Sequence, residues 1–376
     1  MTSLFAKIIS PFLADISKIS DSEFTHCVEL ARRQGIEMLF YSRLNKHYKG
    51  EHKFVDEYLK AIKNNYLQSV ARSMRQEALE KQIINSLAIK KIPACVIKGN
   101  AIARIIYLDS NCRSSGDIDV LIKVNDLIAT NETLYQMGFI RSDLFPLAFA
   151  VGRAHHLVYD NAKKGCQIEM HWDFGYPLYF NLTPEQIWNG IVGNREEGYQ
   201  LTPETMVVML LAHHFRHGFR ELKVLVDILW SIYSYDRIID WHKFVQQLKG
   251  YGMIKTALIT IHQLESLWNI NEGRIKSLKS FKNSLQSMPI RPHRFFIWYF
   301  RMNIEEPKYK SPDMQIAKLV LDRKSKVLYS FLKIFFPRSE DIKAFYPETS
   351  KRMLPVNYLR FILWRLTKLD ILLNKN

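Results

Sequence analysis

The pattern of apolar and polar residues changes twice along the chain. From about residue 20 to 90, apolar positions recur at helical spacing, as in EFTHCVELARRQGIEMLF, and a second long amphipathic stretch ends just before Pro93. Short strand-like and helix-like segments then alternate, and helical patterns return from about residue 183. We therefore predict an α+β fold with three parts: an N-terminal helical region (1–92), a small mixed-sheet core (93–182) and a C-terminal helical domain (183–376).

The central segment predicts a sheet with helices between its strands. The strand candidates are PACVIKG (93–99), DIDVLIKV (117–124), HHLVYD (155–160) and CQIEMHWDF (166–174), and the helix candidates are NAIARIIYL (100–108) and VNDLIATNETLYQMG (124–138). Beyond this segment, Thr183 and Thr202 each precede a proline, which is typical of the residue that caps the start of a helix.

Composition adds limits on location. With 47% hydrophobic and 24% charged residues, the chain is typical of a globular protein. Lys7, Asp15 and Lys18 interrupt the apolar N-terminus, so we expect no signal peptide, and the densest apolar run (206–215) is far shorter than the roughly 20 residues that span a bilayer. The four cysteines have neither CxxC nor zinc-site spacing. We therefore expect a cytoplasmic protein without a membrane span.

The positive charge is concentrated in the last third of the chain. The formal net charge is +16, and residues 243–376 hold 25 Lys and Arg against 10 Asp and Glu. Such asymmetry favours an anionic partner, either RNA or a membrane surface, although a solvated helical surface explains it equally well. Within this part, RPHRFFIWYFRMN (291–303) interleaves aromatic residues with arginines. We favour a buried helix face there over base stacking or contact with a membrane.

Two aspartates lie at the start of the apolar strand DIDVLIKV. Because successive side chains of a strand point to opposite faces, Asp117 and Asp119 share one face, opposite Ile118 and Val120. Buried carboxylates are costly unless a cation is bound beside them. A third carboxylate, Glu169, lies inside another strand. Three carboxylates on neighbouring strands would form a Mg²⁺ site suited to phosphoryl transfer.

Several motifs around these carboxylates carry a family resemblance. The segments IKGNAIARIIY, RSSGDIDVLI, AHHLVYD and IEMHWDF together resemble a bacterial nucleotidyltransferase family of the DNA polymerase beta superfamily, and the resemblance extends over about 25–365. It implies that Asp117 and Asp119 hold both catalytic metals, and that Glu169 joins them at the metal that activates the acceptor hydroxyl. Mg²⁺ is the implied cofactor, with Mn²⁺ as the alternative.

The resemblance also implies a nucleotide-binding turn. The turn at Gly99 would face the nucleotide phosphates, and Lys98 and Arg113 would neutralise their charge. The superfamily usually has Gly-Ser in this turn and a shorter path to the first aspartate. Here Asn100 replaces the serine, and 17 residues separate Gly99 from Asp117. We include Asn100 among the candidate nucleotide-binding residues, without the hydroxyl contact that a serine would make.

The histidines have both functional and structural interpretations. His155 and His156 begin the strand expected to pair with that of Glu169, and His156 is the candidate to face the metals or the leaving phosphate, against simple strand-end polarity. His171 shares a face with Glu169 and is a candidate to orient it. His213 and His217 have the spacing of zinc ligands on a helix, but no HExxH motif is present.

For this helix we favour packing against the active-site sheet over zinc binding. We expect Asp227, on the next helix, to hold its histidines in place.

These observations lead to a functional hypothesis. We expect a Mg²⁺-dependent nucleotidyltransferase that moves a nucleoside monophosphate from an NTP to a hydroxyl or phosphate acceptor and releases pyrophosphate. The acceptor is a small molecule, a peptide, or RNA bound through the basic C-terminal part. The alternative is a non-catalytic nucleotide- or RNA-binding protein that retains the fold. A kinase is less favoured because the chain lacks a glycine-rich phosphate loop.

Overall fold

A computed structural model gives the structure of most of the chain. The described residues are 3–11, 19–50, 52–107, 109–113, 115–142, 147, 151, 154–175, 179–194, 198–268, 276–305, 313–335, 339, 342–343, 346, 350 and 352–373. The described helices before the sheet are α1 (Ser3–Ile9), α2 (Asp21–Arg33), α3 (Glu37–His47) and α4 (Lys53–Ile89).

Local sequence signals fix the ends of these helices. At the start of α2, the Ser20 hydroxyl accepts a hydrogen bond from the Glu23 amide, and the Glu23 carboxylate accepts one from the Ser20 amide. The 37-residue helix α4 ends where Lys91 adopts a left-handed conformation (φ 62°), two residues before Pro93. The predicted end of the long amphipathic stretch is thereby confirmed.

A five-stranded mixed sheet follows α4. Its strands are β1 (Ala94–Val96), β2 (Asp117–Ile122), β3 (Ile140–Arg141), β4 (His156–Asn161) and β5 (Cys166–His171), in the order β1-β2-β5-β4-β3. Strands β2 and β5 are parallel and the other neighbouring pairs are antiparallel, which confirms the predicted mixed sheet. The intervening helices are α5 (Asn100–Ile106) and α6 (Leu127–Gln136). Strand β3 was not predicted, because two residues are too few to show a period.

One face of the sheet packs on α4. Ile118, Val120 and Ile122 of β2 point into a hydrophobic cluster that includes Ile83 and Leu87 of α4. These side chains are at most 1% exposed, as the alternation of β2 predicts. The aspartates of β2 therefore lie on the opposite face of the sheet.

That opposite face meets helices from both ends of the chain. Leu121 of β2 belongs to a larger hydrophobic cluster that also contains Phe40 and Trp230. The indole Nε1 of Trp230 donates a hydrogen bond to the carbonyl oxygen of Ile9 at 3.1 Å. Helices before and after the sheet thus share one core with it, while the three-part division of the chain stays a prediction.

Helices dominate the chain after the sheet. They are α7 (Pro184–Asn189), α8 (Pro203–Arg216), α9 (Leu222–Ser234), α10 (Trp241–Tyr251), α11 (Ile254–Trp268), α12 (Lys276–Gln286), α13 (Arg294–Glu305), α14 (Asp313–Lys318), α15 (Lys324–Phe335) and α16 (Leu354–Leu373). The Thr183 hydroxyl caps α7 by accepting from the Gln186 amide, and Thr202 caps α8 by accepting from the Thr205 amide. Both predicted helix starts are confirmed.

A hairpin interrupts this helical part. Strands β6 (Ile191–Asn194) and β7 (Gly198–Leu201) pair antiparallel, and β7 lies against β1. At Gly193 (φ 100°), an added Cβ would lie 2.1 Å from the Gly198 carbonyl oxygen, so only glycine fits there. The hairpin was not predicted, because four-residue strands carry too little alternation to be recognised.

The fold class is confirmed as α+β, with a small mixed sheet flanked by helices. Among the described residues, no helix combines the length and the apolar character that crossing a bilayer requires.

We predict that the contact of α4 with the sheet is a main source of stability. Ile83→Ala removes a side chain that is 0% exposed and should lower the free energy of unfolding by about 2–5 kcal/mol, measured by urea denaturation. Ile89→Ala is the matched control, because Ile89 lies on the same helix and is 79% exposed. Equal effects of the two substitutions would contradict the assigned orientation of α4.

Candidate active site

The pairing of β2 with β5 brings two carboxylates together. The two strands are parallel and their register places Asp119 opposite Glu169, so both side chains project from the same face of the sheet. The side chain of Asp119 is 3% exposed and that of Glu169 is 17% exposed. Asp119 therefore lies at the buried end of the pair and Glu169 at its open side.

His171 joins these carboxylates at the end of β5. Its Nε2 lies 2.9 Å from Asp119 Oδ1 and 3.2 Å from Glu169 Oε2. Asp119, Glu169 and His171 each offer a ligand atom within 4.8 Å of the others, a spacing that suits a shared metal ion. The structure thus brings His171 to Glu169, as expected of a residue that orients it.

Lys98 supplies a positive charge to the same group. Its Nζ donates a hydrogen bond to Asp119 Oδ1 and lies 3.9 Å from Glu169 Oε2. Burial opposes ionisation of Asp119, but Lys98 and the hydrogen bond to His171 outweigh it, so the pKa of Asp119 lies well below its usual value. Burial likewise opposes ionisation of Glu169, and the hydrogen bond to His171 outweighs it and lowers its pKa. Both carboxylates are therefore ionised at neutral pH.

Asp117 stands apart from this group. Its Oδ1 accepts a hydrogen bond from the Ser115 hydroxyl at 3.0 Å, and its partner across the strands is Gln167 rather than Glu169. Two residues along a strand correspond to roughly 6.6 Å between Cα atoms, so Asp117 precedes the pair on the same face of β2. The predicted group of three carboxylates stays a prediction, of which Asp119 and Glu169 form the directly facing pair.

The turn at Gly99 is held by contacts that the sequence did not reveal. Gly99 has φ 57°, and an added Cβ would lie 3.3 Å from the Cβ and the hydroxyl of Ser115. Asn100 is buried, donating to Glu80 Oε1 at 3.1 Å and accepting from the Ser73 hydroxyl at 3.0 Å. Asn100 therefore fixes α5 to α4, and the hydroxyl beside Gly99 comes from Ser115.

Arg113 is engaged in a buried ion pair. Its Nε and Nη2 donate to the carboxylate of Asp227 at 2.9–3.0 Å, and the Tyr107 hydroxyl donates to the same carboxylate at 2.6 Å. The structure thus places Arg113 in an ion pair with α9 rather than at an open position suited to nucleotide phosphates. The expectation that Asp227 holds the histidines of the preceding helix was wrong, because its carboxylate faces the segment before β2.

The histidines of β4 lie beside the carboxylates. His156 Nε2 is 3.8 Å from Glu169 Oε1, and His156 Nδ1 is 2.8 Å from His155 Nε2. Burial, reinforced by His171, lowers the pKa of His156 to about 4, and burial with the neighbouring His156 lowers the pKa of His155 even further. Both rings are therefore neutral at pH 7.

The end of α8 contributes residues that the sequence did not assign to the site. Arg216 Nη1 donates to His155 Nε2, and Nη2 lies 3.2 Å from His213 Nδ1 and 3.4 Å from His217 Nε2. This contact agrees with the favoured interpretation that the helix packs against the active-site sheet. A second group with metal-binding spacing consists of His213, His217 and Glu221. The cationic Arg216 donates hydrogen bonds to both imidazoles of this group.

A comparison with protein-family models decides the class of enzyme to which this chain belongs. The family model described as an uncharacterised nucleotidyltransferase matches residues 20–269, which include the sheet and α8. The chain belongs to this nucleotidyltransferase family. Comparisons with curated proteins and with solved structures give no match. The protein is therefore an enzyme of nucleotidyl transfer that uses an NTP, and the predicted membership of a nucleotidyltransferase family is confirmed over residues 20–269.

Nucleotidyltransferases generally use divalent metal ions, and the side chains at this site are suited to binding such an ion. Two ionised carboxylates offer the oxygen ligands that hard cations such as Mg²⁺ require, and His171 adds an imidazole that Mn²⁺ also accepts. The pair Asp119 and Glu169 is the part of the site best suited to hold the ion.

We predict that the buried ion pair of Arg113 holds the segment that leads into β2. Asp227→Leu leaves the Arg113 charge buried without a partner and should lower the free energy of unfolding by about 3–5 kcal/mol in urea denaturation. The double variant Arg113→Met/Asp227→Leu removes both charges and should recover at least half of that loss. A double variant as unstable as the single one would contradict this account.

Proposed function

We propose that this enzyme is a Mg²⁺-dependent nucleotidyltransferase that moves a nucleoside monophosphate from an NTP to a hydroxyl or phosphate acceptor. The observation that carries the proposal is the buried, ionised pair Asp119 and Glu169 on adjacent parallel strands of a nucleotidyltransferase family member. We assign Asp117, Asp119 and Glu169 to the metal. A bound Mg²⁺ supplies charge neutralisation to the reacting phosphates.

The reaction consists of one substitution at phosphorus. An acceptor oxygen forms a bond to the α-phosphorus, the bond from that phosphorus to the oxygen bridging to the β-phosphate breaks, and pyrophosphate leaves. We assign the acceptor side to Glu169, because it is the more exposed of the two carboxylates. Its ionised carboxylate accepts the proton of the acceptor hydroxyl. His171, 3.2 Å from Glu169, holds that carboxylate in position.

The nucleotide side of the site is assigned to Lys98 and the Gly99 turn. Lys98 is the ammonium nearest to the carboxylate pair, which supports contact with a phosphate oxygen. Asn100 and Arg113 act indirectly in this proposal, because their side chains fix the turn to α4 and the segment before β2 to α9. His156, 3.8 Å from Glu169, lies beside the path of the acceptor.

The C-terminal part of the chain has features that support RNA as the acceptor. Phe295 and Trp298 of α13 are 50% and 58% exposed, and their rings are 6.0 Å apart. Arg291 and Arg294 lie on the same segment, within the part of the chain that carries most of the net charge. Phe300 of this helix is buried but these two rings are exposed, so the expectation of a buried helix face for 291–303 holds only in part. Exposed aromatic rings among arginines suit single-stranded nucleic acid, so RNA is the favoured acceptor over a small molecule or a peptide.

We predict that the carboxylate pair is required for transfer. With Mg²⁺ and each labelled NTP in turn, Asp119→Asn and Glu169→Gln should each reduce label transfer to RNA or to a small-molecule extract by about 1,000-fold or more. Asp160→Asn is the matched control, because Asp160 lies on the same sheet but is exposed. Transfer that persists in both pair variants would refute the assignment. A product heavier by phosphate alone would indicate a kinase.

We predict that RNA binding depends on Arg294 and Trp298 of α13. The logarithm of the binding constant for single-stranded RNA should fall with the logarithm of salt concentration by about 0.7 per phosphate contact. Arg294→Gln should lessen that slope by about 1, and Trp298→Ala should weaken binding by about 1–3 kcal/mol at constant slope. Binding that is weak and insensitive to salt in the native chain would favour a small acceptor.

A further inference from the structure

Arg216 differs in its partners from Lys98 and Arg113, the two other cations near the carboxylates. Lys98 is paired with Asp119 and Arg113 with Asp227, whereas the guanidinium of Arg216 donates to imidazole nitrogens. Within the described part of the chain, no carboxylate lies within ion-pair distance of Arg216. Buried and half-buried charges in proteins are normally paired, so a guanidinium without a counter-charge calls for an anionic ligand.

The imidazoles around Arg216 cannot neutralise it. Burial lowers the pKa of His155 and of His213, and the nearby cations lower it further. Neutral rings accept hydrogen bonds and orient the guanidinium without cancelling its charge. The third imidazole, that of His217, also contacts Glu221 Oε1 through Nδ1 at 2.5 Å, so this carboxylate is linked to Arg216 only through the ring. Arg216 is also only partly buried, so a ligand can reach it.

The position of Arg216 connects it to the carboxylate pair. Its Nη1 contacts His155, the ring of His155 lies 4.3 Å from that of His156, and His156 Nε2 is 3.8 Å from Glu169. The charges of Lys98 and Arg216 both act on His155 and His156. Two cations, Lys98 after β1 and Arg216 at the end of α8, therefore border one imidazole cluster next to the carboxylates.

We propose that Arg216 binds the polyphosphate chain of the nucleotide. This inference rests on the proposed function. It adds a phosphate contact made by a residue of the helical part of the chain. The planar guanidinium can donate two parallel hydrogen bonds to phosphate oxygens, which an ammonium cannot do. His155, His213 and His217 act as positioning residues, because their ring nitrogens set the plane of the guanidinium.

The test measures binding of inorganic tripolyphosphate by titration calorimetry, with and without Mg²⁺. Arg216→Met should weaken binding by about 10- to 100-fold, and Arg216→Lys should lie between this variant and the native chain, because it keeps the charge but loses the paired donors. Arg237→Met is the matched control, since Arg237 is exposed and follows α9. Thermal unfolding of every variant establishes that it folds.

Each outcome decides the proposal. Loss of binding in Arg216→Met with native binding in Arg237→Met supports it. Equal binding in these two variants, or no binding to the native chain under either condition, overturns it and leaves Arg216 a structural link between β4 and α8. An NTP should compete with tripolyphosphate. Tripolyphosphate that stays bound at saturating NTP would instead assign the site to a phosphate of the acceptor and overturn the nucleotide assignment.

The test also separates this inference from the proposed function. Asp119→Asn removes a carboxylate of the transfer site but leaves Arg216 and its imidazole partners in place. Tripolyphosphate binding that depends on Arg216, together with an absence of nucleotide transfer by the native chain, would refute the transferase proposal alone. Transfer that is lost in Asp119→Asn but native in Arg216→Met would refute the phosphate contact alone.

Discussion

The burial of two ionised carboxylates in one face of a small sheet is the constraint on which the rest of this structure depends. Asp119 is only 3% exposed, and an isolated carboxylate at such a position would be neutral or would destabilise the fold. It remains charged because Lys98 and His171 contact it directly. The parallel pairing of β2 and β5 places Glu169 next to Asp119. Because two carboxylates repel each other, the pair requires positive charge nearby. A site of this kind is costly to build and is therefore a strong indication of function.

The groups around the carboxylates come from elements that are far apart in the sequence. The ammonium of Lys98 follows β1, the imidazole of His171 ends β5 and the guanidinium of Arg216 ends α8. The ion pair of Arg113 with Asp227 fixes the segment before β2 to α9. The core shared by helices from both ends of the chain holds these elements in place. The active site is therefore a property of the sheet and the helices together.

The sequence predicted those parts of the site that depend on local rules. The period of two in β2 placed Asp117 and Asp119 on one face, and the motifs identified Glu169, His171 and the Gly99 turn. The sequence did not reveal contacts between distant residues. Arg113 and Asp227 are 114 positions apart and Arg216 and His155 are 61 apart, and no local pattern indicates which charged side chains will meet. The pairing of Asp227 was therefore predicted wrongly, and the hairpin β6–β7 was too short to be recognised.

The contact of Lys98 with Asp119 bears on how substrate and cation enter such a site. An ammonium and a divalent cation at one carboxylate repel each other by several kcal/mol at the effective dielectric constant of a partly buried site. Lys98 must therefore exchange Asp119 for another anion if the carboxylate is to serve as a metal ligand. In the proposed function the phosphates of a nucleotide supply that anion, and Arg216, which has no carboxylate within ion-pair distance among the described residues, is proposed to give them a second contact. Nucleotide and cation should then bind cooperatively, because each removes the repulsion that opposes the other.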